Sequence, residues 1–244
     1  FITDCLAFAF AAGYCSGLQA LVPELPADKI TSFCVTEEGG AHPRAIKTRL
    51  VPAAEGGDQK NMLNGKKKYI TCANEADLIL AAASEGVYDD GRNRIRMVKV
   101  DSRAPGVTIT PMKDFHLLPE ISHGMVAFDN VAIRDTDLLP GDGYLNYIKP
   151  FRTIEDLHVT AAISGYLFRI ACQYDWYRDI KQDILGLIVT LRPLALSDPC
   201  APAVHILTGD VFSRAKELIQ GIDTFCDTVA PDPLERGCRD KDLW

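Results

Sequence analysis

At 244 residues and 47% hydrophobic content, the chain is long enough for one large or two smaller domains around a substantial core. A formal net charge of −7 argues against nucleic acid or an acidic membrane surface as the main partner. Eight cysteines without a CxxC pair, and five histidines without HxxxH or HExxH, point to reduced thiols in a cytoplasmic protein and away from a disulfide framework or a metal site.

In chain order, the apolar stretch Phe1–Val22 is interrupted by Asp4, Ser16 and Gln19 and stopped by Pro23. It predicts a core helix over Ile2–Leu21, with no membrane insertion. Asp4 stands where a signal peptide would carry basic residues, so none is expected. Gly13 and Ser16-Gly17 would let another helix approach closely. From Ile30 to about Leu139 the pattern is short, β-branched-rich segments between Gly, Pro, Asn and Asp turns. Strands are predicted at Ser32–Thr36, Ile46–Val51, Lys67–Thr71, Leu78–Ser84, Ile95–Val100, Val107–Thr110, His116–Leu118 and Met125–Val131. Asn64-Gly65 reads as a hairpin turn, and Lys66-Lys67-Lys68 as its solvated shoulder rather than a phosphate patch.

After Gly143, Ile154, Leu157, Ala161, Ile163, Phe168 and Ala171 keep a helical period. Ala161-Ala162-Ile163-Ser164-Gly165 offers a small-residue face for tight packing. Further helices are expected at Asp179–Ser197, Pro202–Val229 and from Pro233 onward. The fold class is therefore α+β: a short N-terminal helix, a central β-barrel or orthogonal β-sandwich, and a C-terminal helical bundle. The boundaries fall at 1–29, 30–142 and 143–244.

The chemistry concentrates between Cys34 and Asp77. Two strand-like pieces, each ending in a threonine, place Val35 before Thr36 and Ile70 before Thr71. Alternation along a strand sends the β-branched residue to the core and the hydroxyl to the other face. Two strand ends can then offer hydroxyls and backbone N–H groups to a polar ligand. No GxGxxG, P-loop or GxSxG motif is present, so a nucleotide cofactor would not sit on a Rossmann turn.

Cys34-Val35-Thr36-Glu37, Ile46-Lys47-Thr48, Leu63-Asn64-Gly65, Lys68-Tyr69-Ile70-Thr71 and Ala76-Asp77 stand in an order and spacing that resemble the acyl-CoA dehydrogenase family. Its members read roughly [AC]-[VL]-T-E-P-x-A-G-S-D…I-K-T, then L-N-G-x-K-x-[WY]-I-T-N-[GA]…A-D. Asp101-Ser102-Arg103-Ala104-Pro105-Gly106-Val107 resembles the family's D-x-x-x-P-G-V turn, and Phe128 to Ile133 its F-x-[DN]-V-x-[IV] strand. The resemblance implies that 1–29 corresponds to the end of an N-terminal helical domain, 30–142 to the family's middle β-domain and 143–244 to its C-terminal bundle.

It also implies an activity in fatty acid metabolism: FAD-dependent oxidation of the CH–CH group of an acyl thioester. An acyl-CoA or other acyl thioester would be the substrate, and an electron-transfer flavoprotein the redox partner. The assembly would be a homodimer or homotetramer, built mostly from 165–197 and 202–229. Thr36 and Thr71 would meet the flavin edge, with Val35 supplying backbone and Tyr69 packing near the ring. A minority of members carry the base near the start of the first long helix after the β-domain, where Glu155 stands. By its residues alone, Glu155 reads as a first-turn acid stabilising a helix N-terminus. His158, one turn on, would pair with it or set its ionisation.

Where the family has A-G-S-D, this chain has Gly40-Ala41-His42-Pro43, and the family's R-x-x-F-G and Q-x-x-G-G-x-G segments are absent. These departures favour an alternative: a non-catalytic homologue acting as a binding or assembly subunit. A flavoprotein oxidase or monooxygenase on the same fold is a further alternative.

Overall fold

The computed structural model describes residues 5–53, 61–112 and 118–229, with side chains through Ile222. The chain divides into two compact units, one of Leu21–His116 with Ile121–Pro150, the other of Phe1–Ala20, Leu117–Glu120 and Phe151–Trp244. The predicted α+β class holds, with an N-terminal helix, a curled mixed sheet and C-terminal helices.

The first unit is a seven-stranded sheet: β1 (Thr31–Cys34), β2 (Arg49–Pro52), β3 (Asn61–Thr71), β4 (Leu78–Val87), β5 (Asn93–Asp101), β6 (Val107–Pro111) and β7 (His123–Ile133). β4 and β5 form an antiparallel pair, as do β3 with β7 and β7 with β6. Between β3 and β4 lie two short strands placed end to end. β1 runs parallel to β4 along Leu78–Ala81. β2 pairs antiparallel with the first half of β3 and meets β4 at Ser84. The chain from Cys34 to Arg49 therefore bridges two halves of one interrupted strand. The core includes Leu63, Ile70, Ile79, Val98, Val126 and Phe128, all nearly inaccessible. Burial of each such side chain contributes about 1.5–3 kcal/mol.

The predicted strand at Ile46–Val51 begins only at Arg49, because the Lys47 and Thr48 N–H groups donate to the Glu37 carboxylate and not to a ladder. Leu118 is a buried bend residue at φ 50°. The other two residues of the strand expected at His116–Leu118 lie outside the described residues, as does the helix from Pro233.

Asn64-Gly65 is not a turn. It lies inside β3, where the pairing with β7 slips twice: Asp129 and Asn130 stand opposite Asn64 alone, and Lys68 and Tyr69 stand opposite Met125 alone. Asn64 steadies the first bulge, its Oδ1 accepting from the Asn130 N–H at 2.8 Å, while Asn130 takes φ 51°. A Cβ on Gly65 (φ 154°) would lie 2.6 Å from Thr48 Cα, so glycine is what lets β3 pass that close. Nor is the lysine run a solvated shoulder. Lys66 is exposed and Lys68 half-buried, but Lys67 is 1% exposed.

The second unit holds α1 (Leu6–Leu21), α2 (Lys149–Gln173), α3 (Arg178–Ala195) and α4 (Pro202–Val229). One cluster joins Leu6, Ala9, Ile163, Tyr166, Ile170, Trp176 and Ile184. Another joins Leu157, Leu187, Leu191, Val204 and Val211. The expected close approach at Gly13 is present: a Cβ there would lie 2.6 Å from Val159 Cα and 3.0 Å from Ala162 Cβ. Gly165, by contrast, is exposed. Among the described residues no helix is long and apolar enough to cross a membrane.

Candidate functional site

Two regions, one in each unit, carry the residues singled out by sequence. In the β unit, β1 ends at Cys34, and the chain continues as Val35-Thr36 alongside the second half of β3. The Lys68 N–H donates to the Thr36 carbonyl at 2.8 Å, and the Ser32 hydroxyl donates to the Thr71 carbonyl at 2.8 Å. Thr36 and Thr71 thus sit on adjacent segments running in opposite directions. Two residues of β3, Tyr69 and Ile70, separate Thr71 from the Thr36 contact at Lys68, at most about 10 Å along the strand. Val35 and Ile70 are buried while both threonines are half-buried, as the alternation predicted. Neither threonine hydroxyl is hydrogen-bonded to another described residue. Tyr69, pushed out by the second bulge at φ 60°, is half exposed. Directly across from Thr71 on β7 stands His123, half-buried, with burial lowering its pKa against a bond to the Ile121 backbone and the charge of Glu75.

Beneath this edge lies a buried ion pair that sequence reasoning assigned to the surface. Lys67 Nζ donates to Glu37 Oε1 at 2.8 Å and to the Val35 carbonyl at 3.2 Å. The Glu37 carboxylate also accepts from the Lys47 and Thr48 N–H groups at 2.8 and 3.0 Å. Burial alone would raise the Glu37 pKa, but the Lys67 contact and the two N–H groups outweigh it and hold the carboxyl below its usual range. Burial lowers the Lys67 pKa, opposed by Glu37. Removing either partner of such a pair strands a charge and typically costs about 3–5 kcal/mol. The neighbouring Cys34 thiol is pushed up to about 12 by burial, against the pull of Lys67, and is chemically quiet at neutral pH. A cavity of about 440 Å³ adjoins the pair, its lining including Lys47, Thr48, Lys66, Lys68 and Met125. The Thr48 hydroxyl is buried there without a described hydrogen-bond partner.

In the helical unit, Glu155 lies well inside α2 and not in its first turn, which holds no acid. The helix-terminus reading therefore fails. Glu155 is half-buried beside a cavity of about 520 Å³ whose lining includes Phe10, Asp156, Val159, Phe212 and Lys216. Burial, with a smaller contribution from Asp156, raises its pKa from 4.5 to about 7. His158 does not pair with it. The imidazole Nδ1 is 3.0 Å from the Ser16 hydroxyl on α1, and Nε2 is buried without a described partner. The group that adds to the shift of Glu155 is its chain neighbour, Asp156.

Residues 32–131 match the model of the acyl-CoA dehydrogenase middle domain. The β unit therefore carries a domain similar to the acyl-CoA dehydrogenase middle domain. A probable short/branched chain specific acyl-CoA dehydrogenase of Dictyostelium discoideum is 32% identical over 123 residues, 49% of this chain. The match covers 29% of that protein, so the chain spans under a third of this relative's length. Among solved structures, butyryl-CoA dehydrogenase from Megasphaera elsdenii superposes with a TM-score of 0.70 over 98% of this chain and 73% of its own, at 17% identity. FMN-bound TdsC from Paenibacillus sp. A11-2 gives 0.72 over 98% and 75%, at 14% identity. At such identities these two likenesses are of fold.

The donor set fits a flavin. Thr36 and Thr71 offer two uncommitted hydroxyls on adjacent antiparallel segments, the Thr36 N–H has no described acceptor, and Tyr69 presents an aromatic ring. These are the groups that can border a planar, polar-edged ring system.

Proposed function

We propose that the protein is a flavin-dependent oxidoreductase acting on the CH–CH group of an acyl thioester, with FAD as cofactor. The observation that carries the reading is the Thr36–Thr71 edge, which keeps its hydroxyls uncommitted inside a family middle domain. Thr36, Thr71 and the Val35-Thr36 backbone hold the flavin's polar edge, and Tyr69 packs near its ring. The flavin bound in the TdsC structure and the acyl-CoA dehydrogenases among the relatives support this assignment. A bound flavin supplies the two-electron acceptor for the hydride that leaves the substrate's β-carbon.

Glu155 is the base. Its carboxylate takes the α-proton of the thioester, the electron pair of that C–H bond becomes the new C=C, and the β-hydrogen departs with its own pair. A carboxyl of pKa about 7 is largely ionised just above neutrality and basic enough to compete for a weakly acidic proton. The substrate is an acyl-CoA or other acyl thioester, and an electron-transfer flavoprotein reoxidises the enzyme. The exposed apolar residues Leu185, Val189, Leu196 and Ile206 support a homodimer or homotetramer built through α3 and α4.

Anaerobic mixing of the FAD-loaded protein with acyl-CoA tests the reading. Glu155→Gln is expected to retain flavin and to slow its bleaching at least about a hundredfold, the scale of general-base loss. Bleaching at the wild-type rate would remove Glu155 from the mechanism.

A further inference from the structure

We propose that the buried Lys67–Glu37 pair is a positioning device for the flavin-contacting peptide between Val35 and Thr36; this rests on the flavin reading above. The β1–β4 ladder stops at Cys34 paired with Ala81. Beyond it the chain is pinned to β3 by two bonds, from Lys67 Nζ to the Val35 carbonyl and from the Lys68 N–H to the Thr36 carbonyl. Glu37 then anchors the returning segment through Lys47 and Thr48. One ammonium thus joins the outgoing strand end, the carboxylate after it and the segment that leads into β2.

The Val35 carbonyl and the Thr36 N–H belong to the same peptide group. A cation hydrogen-bonded to the oxygen draws electron density from the nitrogen and makes the N–H a stronger donor. That N–H has no described acceptor, which leaves it for the flavin edge. Apolar residues at both 67 and 37 would fill a site whose neighbours on β3, Leu63 and Ile70, are already aliphatic core, without desolvating a charge. What they would not do is grip the Val35 carbonyl or polarise the peptide beyond it. Lys67 acts through that peptide, as a positioning residue.

The test compares wild type, Lys67→Met, Glu37→Gln and the double variant, each checked for fold by circular dichroism and titrated with FAD. Each single substitution is expected to raise the FAD Kd at least tenfold. Each should also shift the oxidised-to-reduced equilibrium of the bound flavin about tenfold toward oxidised, about 30 mV for two electrons. The double variant should be no worse than the more affected single one, because both break one device. Glu37→Gln keeps the lysine and decides the matter if Lys67→Met does not fold. Folded variants with wild-type affinity and potential, or effects that simply add, overturn this inference alone. A wild-type protein that takes up no flavin overturns the flavin reading and this inference together.

Discussion

Glu155→Gln separates the electrostatic argument from the catalytic one, because it has a consequence for stability as well as for rate. Burial raises the Glu155 pKa from 4.5 to about 7 in the folded protein, so the native state holds this proton more tightly than the unfolded chain does. Below about pH 4.5 both states are protonated and the residue costs nothing. As pH rises toward 7 the unfolded state releases its proton first, and native stability falls; above about pH 7 the loss is complete. The rise from 4.5 to about 7, at roughly 1.4 kcal/mol per pH unit, amounts to about 3 kcal/mol at pH 8. Glutamine keeps the shape and has no proton to lose. Urea unfolding of the helical unit should therefore show Glu155→Gln gaining on wild type by about 2–3 kcal/mol between pH 5 and pH 8. A constant difference across that range would mean that Glu155 is well solvated, and the case for it as a tuned base would lose its physical ground.

Three further outcomes follow from the packing. Gly65→Ala drives a methyl into the Thr48 backbone at a φ that L side chains rarely adopt, and should cost the β unit about 2–4 kcal/mol in urea unfolding. Gly13→Ala should destabilise the helical unit by about 1–3 kcal/mol, because the added methyl meets the Val159 backbone and not a yielding side chain. Brief alkylation of the native protein at pH 8, read by peptide mapping, should label the exposed Cys172 and Cys200 and spare Cys34; rapid modification of Cys34 would contradict its burial against Lys67.

Much of the site's frame was legible in the sequence because it rests on short-range rules. Alternation put Val35 and Ile70 inside and left Thr36 and Thr71 at the surface. Gly13 was readable as a close helix contact because little else permits one. The misreadings arose where a distant partner overrides a local signal. Asn64-Gly65 has the composition of a turn, yet β2 and β7 pair on either side of it, and the ladder consumes the chain there. Lys67 is thirty residues from Glu37, and no local pattern announces a buried cation. The period of two counted from Leu63 through Gly65 did place Lys67 on the inward face, and that count was the available signal. The run of three lysines hid it. Glu155 resembles a helix-terminus acid because the helical period is legible only from Ile154 onward. The helical backbone already begins with a π turn at Tyr144–Ile148, where the Asp142 carboxylate accepts the Tyr144 and Leu145 N–H groups.

The central claim, that this chain holds a flavin at the Thr36–Thr71 edge, is tested most directly by the visible spectrum of the purified protein before and after added FAD. The account predicts a flavin absorption band that survives desalting, or that returns on adding FAD and is lost when Thr36 and Thr71 are both changed to valine. A colourless protein that FAD does not restore would contradict it, and would favour a homologue that kept the fold as a binding or assembly subunit.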